Sequence, residues 1–161
     1  MRVTVFTKSA LRHQYLVSAL AKIADEVFVI KESRTSTKPS NGTIHRSLEN
    51  YFAEMALVEQ QIFSGSAAER FSNVSIKSIE FGSLSTMSLS ALSSHLESDL
   101  FIIFGSSFIK GRLVQELITR NAINIHMGIS PYYRGAACNF WALYDQHPEL
   151  VGATIHRLSE Q

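Results

Sequence analysis

The chain has one cysteine, Cys138, among 161 residues, so it can form no intrachain disulfide and suits a reducing compartment. It has no apolar run near the eighteen residues of a membrane span, and residues 3–6 at its start read as a strand too short for a signal-peptide core. Fifteen Lys and Arg against fourteen Asp and Glu give a net charge of +1, too small for the basic footprint of a nucleic-acid binder. Only three prolines interrupt it, and no internal repeat is visible. These absences lead us to expect a cytoplasmic globular protein folding as one domain over residues 1–161.

Strand and helix signals alternate along the chain. Residues 3–6 and 26–30 are β-rich, and between them Leu16, Leu20 and Ile23 share a helical face. The polar stretch 34–42 reads as a loop with a turn at Asn41 and Gly42. Leu48, Tyr51, Phe52, Met55, Val58 and Ile62 follow amphipathic helix spacing, with Gly65 as the expected stop. Residues 74–81 alternate as a strand. Leu89, Leu92 and Leu96 then mark a helix capped by Ser85 or Thr86.

The run Leu100–Phe104 is continuously apolar, as in a strand covered on both faces of a parallel sheet. A Gly-Ser-Ser turn, a short helix with Leu113 and Leu117, and a second buried strand over residues 122–125 follow. The pattern predicts an α/β fold with a doubly wound, mostly parallel Rossmann-like sheet, whose ligands bind beyond the carboxyl ends of the strands.

The densest polar cluster lies at such an end: Asn124, His126, Ser130, Pro131, Tyr132, Tyr133, Arg134 and Gly135. Residues two apart in a strand share a face, so Asn124 and His126 can present an amide and an imidazole to one site. Acyl transfer to an amine needs a donor for the oxyanion and a group that moves protons, and this pair supplies both. Spacing alone favours a plainer reading, in which Asn124 satisfies a turn and His126 caps the sheet. The expected helix starting at Trp141 would pack beneath the cluster.

A longer run adds weight. Asn124-Ile125-His126, Pro131-Tyr132-Tyr133-Arg134-Gly135, Trp141-Ala142 and Gly152-Ala153-Thr154-Ile155-His156 resemble, in order and spacing, the signature of the folate-dependent formyltransferases. That family includes methionyl-tRNA, glycinamide ribonucleotide and sugar N-formyltransferases. The motif likeness covers residues 99–161; before that it is architectural only.

The resemblance implies that Asn124 and His126 are catalytic and that 10-formyltetrahydrofolate is the formyl donor. It implies that Gly105, Ser107, Phe108 and Ile109 line the folate pocket, with Phe108 and Ile109 flanking the pterin unless they pack the following helix. Tyr132, Tyr133, Arg134 and Gly135 would meet the acceptor or brace their own loop. The acceptor implied is a primary amine on a nucleotide-linked sugar, with transfer RNA less favoured.

Two departures stand out. Met127-Gly128-Ile129-Ser130-Pro131 replaces the family's Pro-Ser-Leu-Leu-Pro, and the family's catalytic aspartate falls beyond Gln161. We therefore expect a catalytic domain incomplete at its C-terminus. The departure also leaves open a non-catalytic binding module.

Other chemistries have thinner support. A cysteine hydrolase would use Cys138 with His126 as base. A zinc site of His126, His147 and His156 lacks a close-spaced ligand pair, so no metal is expected. Thr7-Lys8-Ser9-Ala10 after the first strand is no glycine-rich dinucleotide fingerprint.

Overall fold

A computed structural model describes residues 1–33, 46–67 and 71–159. Six strands form one sheet: β1 (Arg2–Thr7), β2 (Glu26–Ser33), β3 (Val74–Glu80), β4 (Leu100–Phe104), β5 (Ile123–His126) and β6 (Thr154–Arg157). Their order is β3-β2-β1-β4-β5-β6, parallel throughout except for β6, which runs antiparallel to β5. The chain reverses its direction of progress between β1 and β4, the switch point that opens a crevice in sheets of this kind. The expected α/β class and mostly parallel sheet are therefore observed.

The two-residue period of the strands divides the core. Val3, Val5, Val27, Val29 and Ile102 pack on one face with Leu20 and Ala21 of α1 (Leu11–Ala21). Phe6, Ile30, Phe101 and Ile103 pack on the other with Leu84, Leu92, and Leu113 and Leu117 of α3 (Gly111–Thr119). Between them in the chain, α2 (Arg46–Ala67) lies on α1 through an Arg12–Glu59 ion pair and a Tyr15–Phe63 ring contact at 5.1 Å.

Several expectations need correction. The second strand spans Ile123–His126, and only its flank Ala122 is fully buried; its own residues are half-buried. Leu100–Phe104 has strands on both sides and two apolar layers over it, whereas β5 has only the four-residue edge strand β6 beyond it. In α2, Phe52, Val58 and Ile62 face outward, because Tyr51, Glu59 and Phe63 form the inner face; Gly65 lies within the helix. The segment Leu89–Leu96 is a 3-10 helix, and its cap is Ser88, which accepts from the Ala91 amide. Trp141 lies inside α4 (Cys138–Tyr144) and is partly exposed, while Cys138, Phe140 and Ala142 take the buried side. The turn expected over 34–42 lies outside the described residues.

One buried group makes stability depend on pH. His13 sits in the first turn of α1, accepts the Lys8 amide at 3.3 Å through Nδ1, and meets the Phe104 ring edge-on at 4.5 Å. Gly105 (φ +70°) closes over it, and a Cβ there would stand 2.7 Å from its Cε1 and Nε2. Burial, and then the Arg12 charge, push the His13 imidazole down to about 4.

A base whose folded pKa is depressed contributes stability fully above its unfolded value, near 6.5, and loses it as pH falls through that value toward 4. The expected loss across that window is about 3 kcal/mol at ~1.4 kcal/mol per unit. Urea midpoints of wild type and His13→Gln at pH 7, 5.5 and 4 measure it. The variant's curve should be flatter over this window, and equal slopes would remove the assignment.

Candidate active site

The antiparallel register sets Asn124 opposite His156 and His126 opposite Thr154. Opposed residues share a face, as do alternate residues of one strand, so these four side chains belong to one face of the β5–β6 ribbon. A chain of hydrogen bonds orients Asn124. His156 Nδ1 donates to the Arg157 carbonyl at 2.9 Å, which leaves its Nε2 as an acceptor for Asn124 Nδ2 at 3.1 Å. This assignment fixes the amide flip from the network and leaves the second Nδ2 hydrogen for another acceptor.

His126 is held differently. Its Nε2 donates to the Tyr133 carbonyl at 3.0 Å, so in the neutral ring Nδ1 carries the lone pair. In this state the two groups are therefore unlike, the amide with an N–H to give and the imidazole with a lone pair at Nδ1, as a donor and a proton carrier would be.

The loop over residues 127–137 is folded tightly enough to present that carbonyl. Thr154 Oγ1 donates to Gly128 O at 2.7 Å and accepts the Ser130 amide at 3.0 Å, and the Tyr133 amide reaches Ile129 O at 3.0 Å. A Cβ at Gly128 would stand 2.6 Å from Cys138 Cβ and 2.8 Å from His126 Nε2, which accounts for glycine at this point of the altered run.

Of the acceptor candidates, Tyr132 and Arg134 are exposed, and Gly135 adopts φ +90°. Tyr133 instead braces the loop, its hydroxyl donating to Asp145 Oδ2 at 3.0 Å.

The loop after β4 divides too. Phe108 is 72% exposed, but Ile109 is 8% exposed and packed with Leu84 and Leu113, so its side chain belongs to the core, the plainer of its two expected roles. The start of α3 covers it. Ser107 turns its amide and hydroxyl to Glu32, so its hydroxyl is engaged within the protein.

The cysteine reading fails on chemistry although the two groups meet. Cys138 Sγ lies 3.6 Å from His126 Nε2, but that nitrogen carries its hydrogen toward Tyr133 O, and burial pushes the thiol up, away from thiolate. Among the described residues no group of three His, Cys, Asp or Glu side chains is placed to hold a metal; His147 pairs with Glu149 at 3.0 Å. An open concavity of about 640 Å³ beside Leu89, Arg112 and Val114 contains none of the candidate residues.

Sequence reasoning missed two members of this arrangement. His156 stood in the motif without a role, and its place opposite Asn124 depends on the β5–β6 register. Glu32, a buried carboxylate at the penultimate position of its strand, was the visible signal left unused.

No protein-family profile and no curated protein matches the chain. Solved structures do. Phosphoribosylglycinamide formyltransferase from Anaplasma phagocytophilum matches with a TM-score of 0.60 at 16% identity, over 100% of this chain and 66% of that one. The same enzyme from Streptococcus pneumoniae TIGR4 gives 0.56 at 21% identity, over 100% and 76%. A formyltetrahydrofolate deformylase from Pseudomonas syringae pv. tomato str. DC3000 gives 0.53 at 15%, over 99% and 46%. The chain thus spans 66% of the length of the first of these and 46% of the deformylase, and what it shares with them at such identities is the fold.

Proposed function

We propose that this chain, which has the formyltransferase fold, carries the catalytic strand of an enzyme that moves a formyl group from 10-formyltetrahydrofolate to a primary amine. The observation that supports it most is the pair at the end of β5: an oriented amide with a donor to give at Asn124, and an imidazole with Nδ1 free of the Tyr133 bond at His126.

The amine nitrogen attacks the formyl carbon and the carbonyl electrons move onto oxygen. Asn124 donates to that oxyanion, and His126 Nδ1 takes the proton the amine must lose. Collapse of the adduct breaks the bond to the folate nitrogen, which takes up as it leaves the proton that His126 accepted from the amine. The exposed Phe108 ring offers the donor a stacking surface, and Tyr132, Arg134 and Gly135 offer the acceptor an aromatic face, a cation and open backbone. In the family that the resemblance points to, a carboxylate completes this set.

As acceptor we propose an amino sugar linked to a nucleotide, on the likeness of the Ser130–Gly135 and Cys138–Trp141 runs to the sugar enzymes. Glycinamide ribonucleotide is the second reading, favoured by the names of the matched structures. The small net charge argues against transfer RNA.

The test is formyl transfer from 10-formyltetrahydrofolate by the 161-residue chain and by the full-length product of its gene. Acceptors would be an amino sugar nucleotide, glycinamide ribonucleotide, methionyl-tRNA and water, the last read as formate. Formylated sugar nucleotide from the full-length gene product is the expected result. Donor binding without transfer to any acceptor would establish a binding module instead.

A further inference from the structure

Glu32 is the penultimate residue of strand β2 and is 1% exposed, yet it is a carboxylate. An ionisable group is costly to bury unless donors surround it, and here three do. The Gly82 amide reaches Oε1 at 2.8 Å, the Ser107 hydroxyl reaches Oε1 at 2.6 Å, and the Ser107 amide reaches Oε2. Gly82 follows β3 and Ser107 follows β4, while the sheet order sets β1 between β2 and β4. One side chain therefore joins two loops across the carboxyl end of β1, over the switch-point crevice.

We propose that Glu32 is a positioning residue for the donor: by fixing Ser107 it holds Phe108 exposed and Ile109 in the core, so the loop meets folate already in its binding shape. This rests on the donor reading given under Proposed function. The neighbouring contacts agree with it. Phe108 O accepts from Ser85 Oγ at 2.9 Å and the Lys110 amide donates to the same hydroxyl at 3.0 Å, so the loop is pinned on both sides of Phe108. A loop ordered before binding has no ordering entropy to lose on binding, and releasing Ser107 restores that cost. Glutamine in place of Glu32 keeps the volume but offers an N–H where the Ser107 amide needs an acceptor.

The experiment combines amide exchange with donor binding on the 161-residue chain. In Glu32→Gln the Ser107 and Gly82 amides should exchange at least about tenfold faster, while those of β1 and β4 hold. Binding of 10-formyltetrahydrofolate should weaken about tenfold, and in the full-length gene product the donor KM should rise with kcat kept. Ser107→Ala should weaken donor binding about fivefold alone and by less than that in the Glu32→Gln background, where the loop is already loosened. That single variant carries the test if Glu32→Gln does not fold. Equal donor binding by wild type and both variants would overturn the positioning role and leave the donor reading standing. A wild-type chain that binds no donor would overturn both.

Discussion

Replacing His126 by alanine is expected to slow formyl transfer by about 10²- to 10⁴-fold, the usual contribution of a positioned acid or base. The ring is fixed by its own loop, because Nε2 donates to the Tyr133 carbonyl at 3.0 Å and the tyrosine is in turn anchored to Asp145. That bond keeps the hydrogen on Nε2 and the lone pair on Nδ1, the form that can accept the amine proton. His126 belongs to neither apolar cluster, so its removal should change the denaturation midpoint little. Assays of kcat/KM in an active form of the protein, with the midpoint measured beside them, separate chemistry from folding. A His126→Ala protein as fast as wild type would remove the mechanism.

Asn124→Ala is expected to cost about 10²- to 10³-fold in kcat with the donor KM nearly unchanged, since a donor aimed at the oxyanion acts in the transition state. Asn124→Asp should do no better, having no N–H to offer and a negative charge where negative charge must grow. His156 acts through Asn124: its Nε2 accepts from Nδ2 at 3.1 Å and so selects the rotamer that leaves the second hydrogen available. His156→Ala should therefore lower kcat about tenfold, the worth of one orienting hydrogen bond. In the Asn124→Ala background it should lower kcat no further. Additive losses would mean that His156 meets the substrate in its own right, and an unaffected His156→Ala protein would mean that the amide is held by other means.

The parts of the site that could be read in advance are those carried by local spacing. Asn124 and His126 lie two apart in one strand, and the turn after β4 follows an unbroken apolar run, so both stand at strand ends whatever the remainder of the chain does. Depth of burial was less legible. The apolar runs of β4 and β5 look alike, yet Phe101 is 2% exposed while β5 is half-buried, because burial follows position in the sheet. Phe108 and Ile109 show the same limit, adjacent apolar residues of which one is exposed and the other core.

By itself the sequence determined the alternation of strands and helices, the central place of Leu100–Phe104, and the placing of Asn124 and His126 in one strand two residues apart, since each rests on neighbours within a few residues. The tertiary structure alone decided which distant groups meet at the strand ends. Ser107 lies 75 residues from Glu32, and Asn124 lies 32 from His156. Strand order and register bring such pairs together, and no periodicity in a chain encodes which strands will be neighbours.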